Sequence, residues 1–230
     1  MTEKLRSDLR YLLRAAIVFV VAAVAAGAVS YTVLLEIREQ RNILESGLVE
    51  TTQLVVLALA SLAYAVQAAR SRETPRALAV VALAVLAMAV REMDGYFDLW
   101  TGSHSFWVFA EIPVLAAAAF VAFRRFGRTA DQLAQFVPTP QCLLLVAGLV
   151  FAVVVAQLIG YKEIWNRLFD VEIWQEAKAA HLLDTGHLPV DQNIVRHVKN
   201  TVEESVELGS YLMILGSALL PPLLRRKPAA

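Results

Sequence analysis

Glu50, Glu92, Glu111 and Glu207 each fall within or at the edge of a long apolar run, where an ionised side chain is expensive. At the centre of a membrane-spanning helix the cost is about 2.5–3.5 kcal/mol, and it falls towards the interface. The acids crowd most around Glu207: on a helix Glu204 lies on its face at i,i+3 and Glu203 at i,i+4. Such like-charged neighbours repel unless a proton or a cation intervenes. Arg91, Glu92 and Asp94 are gathered in the run Arg91-Glu92-Met93-Asp94-Gly95-Tyr96-Phe97-Asp98. His104, seven residues before Glu111, and His197 are the imidazoles that could join the acids.

Three kinds of chemistry would keep such a set. The first is a bound divalent metal, with Glu50, Glu92, Glu111, Glu204, Glu207, His104 and His197 as candidate ligands. Carboxylates alone suit Ca²⁺, Mg²⁺ or Mn²⁺, and carboxylates with imidazole suit Zn²⁺ or iron. A metal-activated water would then be the nucleophile, with Glu92 and Glu207 as the candidate catalytic acid and base. The second is movement of a proton or cation along the acids, as in a transporter. The third is a salt-bridged core around Arg91, with Lys199 or Arg196, that fixes helix register. No His-x-x-x-His or Glu-x-x-His spacing occurs, and His181 and His187 read as solvated loop residues. An enzyme, a transporter and a non-catalytic structural or sensory protein therefore stay open.

The elements that hold these residues are membrane spans. Of 230 residues, 58% are hydrophobic and 18% charged, too apolar for a water-soluble domain of this length. The charges sit in blocks between runs of about 20 apolar residues, the length needed to cross a bilayer. The expected fold is all-α, a single domain of six transmembrane helices over 15–35, 47–69, 77–96, 104–123, 143–159 and 201–224. Pro113 falls inside the fourth span and is expected to kink it. The basic flank of the first run (Lys4, Arg6, Arg10, Arg14) resembles a signal peptide, but its apolar stretch is longer than a cleaved signal needs.

Arg70, Arg72 and Arg76, then Arg124, Arg125 and Arg128, then Arg225, Arg226 and Lys227 fall on the same side as the basic N-terminus. The positive-inside rule makes that side cytoplasmic, with both termini in, and the heavy use of Ala, Val, Leu and Arg suggests a bacterial inner membrane. All the acids named above and all four histidines then lie in the outer half or outside. The inner half offers Ser61, Tyr64, Gln67 and Ser217 and no acid. Polar residues that stop halfway count against a channel or secondary transporter, without excluding one that acts as an oligomer.

Between the fifth and sixth spans the outer loop 160–200 opens with an amphipathic pattern over Tyr161 to Leu183, an interfacial helix carrying Trp165 and Trp174. Small residues recur on the first, fourth and sixth spans (Gly27, Ala116 to Ala119, Gly209, Ser210, Gly216, Ser217) and read as helix packing. Membrane lipid is the expected partner, with a homo-oligomer left open. The zero net charge gives no nucleic-acid reading, and the lone Cys142 allows no intrachain disulfide.

Overall fold

The computed structural model describes residues 48–102, 106–161 and 192–224, together with Val20, Val24, Gly27, Tyr31, Ile164, Trp165, Glu172, Gln175 and Ala179. Among them there is helix and no strand. The isolated positions are all helical, those at 164–179 within the segment expected to form the outer amphipathic helix.

Helix α1 (Leu48–Arg70) is a run of Leu, Ala and Val with Glu50 in its first turn and Arg70 in its last, charges that suit the helix dipole. Helix α2 (Pro75–Arg91) begins on a proline, which lacks the N–H that a first turn would leave unpaired. Its N-cap residue, Thr74, makes no side-chain cap. The cap comes instead from Gln132, whose Oε1 accepts the backbone N–H of Arg76 at 2.7 Å and of Ala77 at 3.3 Å.

Helix α2 stops five residues short of the expected span end at Tyr96. Glu92 is its C-cap, and Asp94 starts the short α3 (Asp94–Thr101) by accepting the N–H of Gly95 at 2.7 Å. At the end of α3, Gly102 takes a φ of 65°, a conformation that side chains disfavour.

Helix α4 (Phe106–Phe123) is continuous through Pro113. Helix α5 (Phe126–Phe136) was not expected from the sequence: it buries Thr129, Gln132 and Phe136 against α2. Helix α6 (Pro140–Gly160) starts at Thr139, whose hydroxyl accepts the N–H of Cys142 at 3.1 Å. Helix α7 (Gln192–Leu224) begins nine residues before the expected sixth span.

Helix α1 is the centre, packed between α2 and α7; α6 packs along α7 and touches α1 at its start, and α4 lies on α2. Contacts Gln53 to Glu204 and Tyr64 to Ser217 make α1 and α7 parallel. Gln157 to Glu207 and Gly148 to Ile214 make α6 antiparallel to α7. The shared core includes Leu57, Ala60, Tyr64, Val85, Leu208 and Ile214.

Helix α6 meets α7 along Gly148, Ala152, Ala156 and Gly160, a line of four-residue steps. A regular α-helix would rotate such a line by about 40° per step. The π turn Phe151–Val155 takes up that rotation and keeps the line on α7. A Cβ on Gly148 would stand 2.9 Å from the Ser210 carbonyl oxygen and 2.8 Å from Ile214 Cγ1, so the backbones meet there. The expected small-residue stripe of the last span is only partly used: Ser210 and Ser217 are buried, whereas a Cβ on Gly209 would meet nothing within 4 Å. On α4, Ala116, Ala117 and Ala119 are exposed.

Three of these helices, Leu48–Arg70, Phe106–Phe123 and Pro140–Gly160, are long and apolar enough to cross a membrane. They turn outwards Leu59, Leu62, Phe109, Phe120, Leu143 and Leu158, all at least half exposed. Water penalises a surface of that extent and hydrocarbon does not. The chain has the surface of a membrane protein.

Candidate functional site

The end of the bundle where α1 and α7 begin and α2 and α6 finish carries the acids. Because α1 and α7 run parallel there, Gln53, on the second turn of α1, meets Glu204 of α7. Its Nε2 donates to Glu204 Oε2 at 2.8 Å and to the Glu204 carbonyl at 3.3 Å. Gln53 is wholly buried, and its other amide atom, Oε1, has no hydrogen-bond partner among the described residues. A buried acceptor left unpaired costs roughly 1–3 kcal/mol, and such exceptions are rare enough to need a reason.

One turn further along α7, Glu207 is buried with 9% of its surface accessible. It accepts a long 3.4 Å bond from Gln157, on the turn of α6 that follows the π segment. Glu207 also lies within the electrostatic reach of Glu92, Glu204 and Glu203, with Arg91 the opposing charge. Glu92, at the C-cap of α2, accepts the phenol of Tyr211 at 2.9 Å. Tyr211 follows Glu207 by one turn and is itself buried. At the rim, Lys199 Nζ binds Glu203 at 2.8 Å and the Gly160 carbonyl at 3.1 Å. Gly160 leaves room for that pair, since a Cβ there would sit 2.0 Å from Glu203 Oε1.

The structure thus places Glu92, Glu204 and Glu207 of the expected set at one end of the bundle, Glu92 and Glu204 within electrostatic reach of Glu207, and adds Glu203. Glu50 is half-buried in the first turn of α1. Glu111 does not join them. Helix α4 buries none of its residues fully and packs on α2, with Glu111, Val114 and Ala118 half-buried on one face. Glu111 makes no hydrogen bond among the described residues and is not among the charges acting on Glu207. His104, His181 and His187 lie outside the described residues, as does the side chain of His197.

Arg91 is exposed and forms no ion pair among the described residues, so the expected salt-bridged lattice around it is not formed by them. Nor do three His, Cys, Asp or Glu side chains among the described residues converge as a metal centre of such donors would require.

Gln53, Gln157 and Tyr211 are the members that sequence reading left out of the site. Each carried a signal: a polar group in an apolar run must find a partner once it enters lipid. Tyr211 and Glu207 lie four apart, on one helix face.

Comparison with family models, with curated proteins and with solved structures finds no match for this chain.

Proposed function

We propose that this chain is a multi-pass bacterial inner-membrane protein of six spans, both termini cytoplasmic, with a cation-binding site in its outer half. The orientation rests on the arginines at 70–76 and 124–128, at the end opposite the acids, and on the basic sequence at 225–227. The site comprises Glu92, Glu204 and Glu207 with Gln53, Gln157 and Tyr211. The observation that carries the reading is Gln53, buried beside a carboxylate with one amide oxygen unpaired. A cation would use that oxygen and offset the repulsion between neighbouring acids.

The donors are carboxylate, amide and phenol oxygens, a set that suits hard cations such as Ca²⁺, Mg²⁺ or Mn²⁺ rather than zinc or iron. If the cation is divalent, the chemistry it supplies is activation of water, for hydrolysis at the outer leaflet. Glu92 and Glu207 are then the carboxylates on hand to take or return a proton.

The inner half supports a site served from one side rather than a transporter. There Tyr64 is hydrogen-bonded to Ser217 at 2.6 Å, and both are wholly buried. Gln67 donates to the Ala218 carbonyl and accepts from Gln141. These direct bonds close the α1–α7 seam.

The test is cation content of the purified protein after equilibration with Ca²⁺, Mg²⁺ or Mn²⁺, read by elemental mass spectrometry. The expected result is near-stoichiometric retention of one ion, lost in folded Glu207→Gln and Gln53→Met proteins. Retention that is absent in the wild type, or equal in all three proteins, sinks the reading.

A further inference from the structure

We infer that the opposite, basic end of the bundle carries a binding site for the headgroup of an anionic phospholipid, built on α5 and the end of α4. Arg124, Arg125 and Arg128 are all exposed there, and Arg70 and Arg72 are exposed on the neighbouring 70–76 turn. Arg76 ties that turn to α5, its Nε donating to Thr129 Oγ1 at 3.3 Å and its Nη2 to the Val121 carbonyl at 3.3 Å. Among the described residues, six arginines thus share this end with two acids, Glu73 and Asp131, and form no ion pair with either.

The apolar part of the surface fixes the depth. Phe123 and Phe126 are 69% and 64% exposed, with rings stacked 6.1 Å apart. The Arg124 guanidinium lies 5.4 Å above the Phe120 ring. Phenyl rings exposed beside guanidinium groups on an amphipathic helix match the boundary between acyl chains and headgroups. At that level the polar partner with which a planar guanidinium pairs best is phosphate, bound through two parallel hydrogen bonds. Unanswered positive charge selects a lipid of net negative charge over a zwitterionic one. The inference does not depend on the acidic site.

The experiment is native mass spectrometry of delipidated, detergent-purified protein titrated with phosphatidylglycerol or phosphatidylcholine. The expected result is tighter retention of phosphatidylglycerol. Retention should fall on the order of 100-fold in R124Q/R125Q/R128Q and less in R124K/R125K/R128K, which keeps charge but loses the fork. Arg91→Gln, at the other end, should leave retention unchanged. Thermal unfolding of each variant establishes that it is folded. Equal retention of the two lipids by the wild type overturns the inference. So does a folded triple glutamine variant that binds as before, or displacement of the lipid by inorganic phosphate at equal concentration.

Discussion

The two ends of the α1–α7 seam differ in how they treat buried polar groups. At the basic end each buried side-chain nitrogen and oxygen among the described residues has a direct partner. Ser217 gives its proton to the Ile214 carbonyl at 2.6 Å, so the Tyr64 phenol is the donor in the bond between them. Gln67 uses both ends of its amide, on Ala218 and Gln141. At the acidic end, about three turns along α1 from Tyr64, Gln53 uses one end of its amide and leaves the other bare among the described residues. Carboxylates that repel each other stand beside it. The first arrangement is what scaffold looks like. The second sacrifices stability for something the folded chain alone does not supply, which is the usual mark of a site.

That contrast can be broken by measuring thermal unfolding in detergent. The largest effect is expected at the join common to both ends. Gly148→Val drives a side chain into the Ser210 carbonyl and Ile214 and should cost about 2–3 kcal/mol. Gly209→Ala, in open space, should be close to neutral.

Next, Gln132→Ala removes the cap from the first turn of α2 and should cost about 1–2 kcal/mol. Tyr64→Phe takes away the bond to Ser217 and should cost about 1 kcal/mol. At the acidic end the sign should reverse: Glu207→Gln relieves the repulsion from Glu203 and Glu204 and should stabilise the protein by about 0.5–1 kcal/mol without added cation. A Glu207→Gln protein less stable than the wild type, in cation-free buffer, would erase the distinction between the ends. The smallest change is expected for Gln53→Met, which loses the two bonds to Glu204 and one unpaired acceptor together, within about 0.5 kcal/mol.

Much of the frame was legible because apolar length is a strong signal. The expected spans 47–69 and 104–123 differ from α1 and α4 by two residues or fewer at either end. Where the reading went astray, local chemistry had overridden hydropathy. Helix α2 ends at Arg91, with Glu92 in the C-cap position and Asp94 opening a new helix, because the charged run Arg91-Glu92-Met93-Asp94 interrupts the apolar pattern before Tyr96 and Phe97. Helix α7 begins earlier than its apolar run because backbone hydrogen bonding does not stop where hydrophobicity does. Helix α5 escaped notice since two of its three buried residues, Thr129 and Gln132, are polar.

For the site, the acids were legible as misplaced charges. Their partners were not, because which glutamine or tyrosine meets which acid depends on helix order and direction. Glu111 shows the same limit from the other side. Its depth matched that of the other acids, but α4 packs on α2, and α1 lies between α2 and α7.

The cap on α2 sets an order of events during synthesis. The amide groups at the start of that helix find their acceptor in Gln132, 56 residues later in the chain. A ribosome that has delivered α1 and α2 to the bilayer has therefore made a hairpin whose turn still bonds to water or lipid headgroups. The hairpin locks only when α5 emerges and folds back along it, so the first half of the bundle waits for the second.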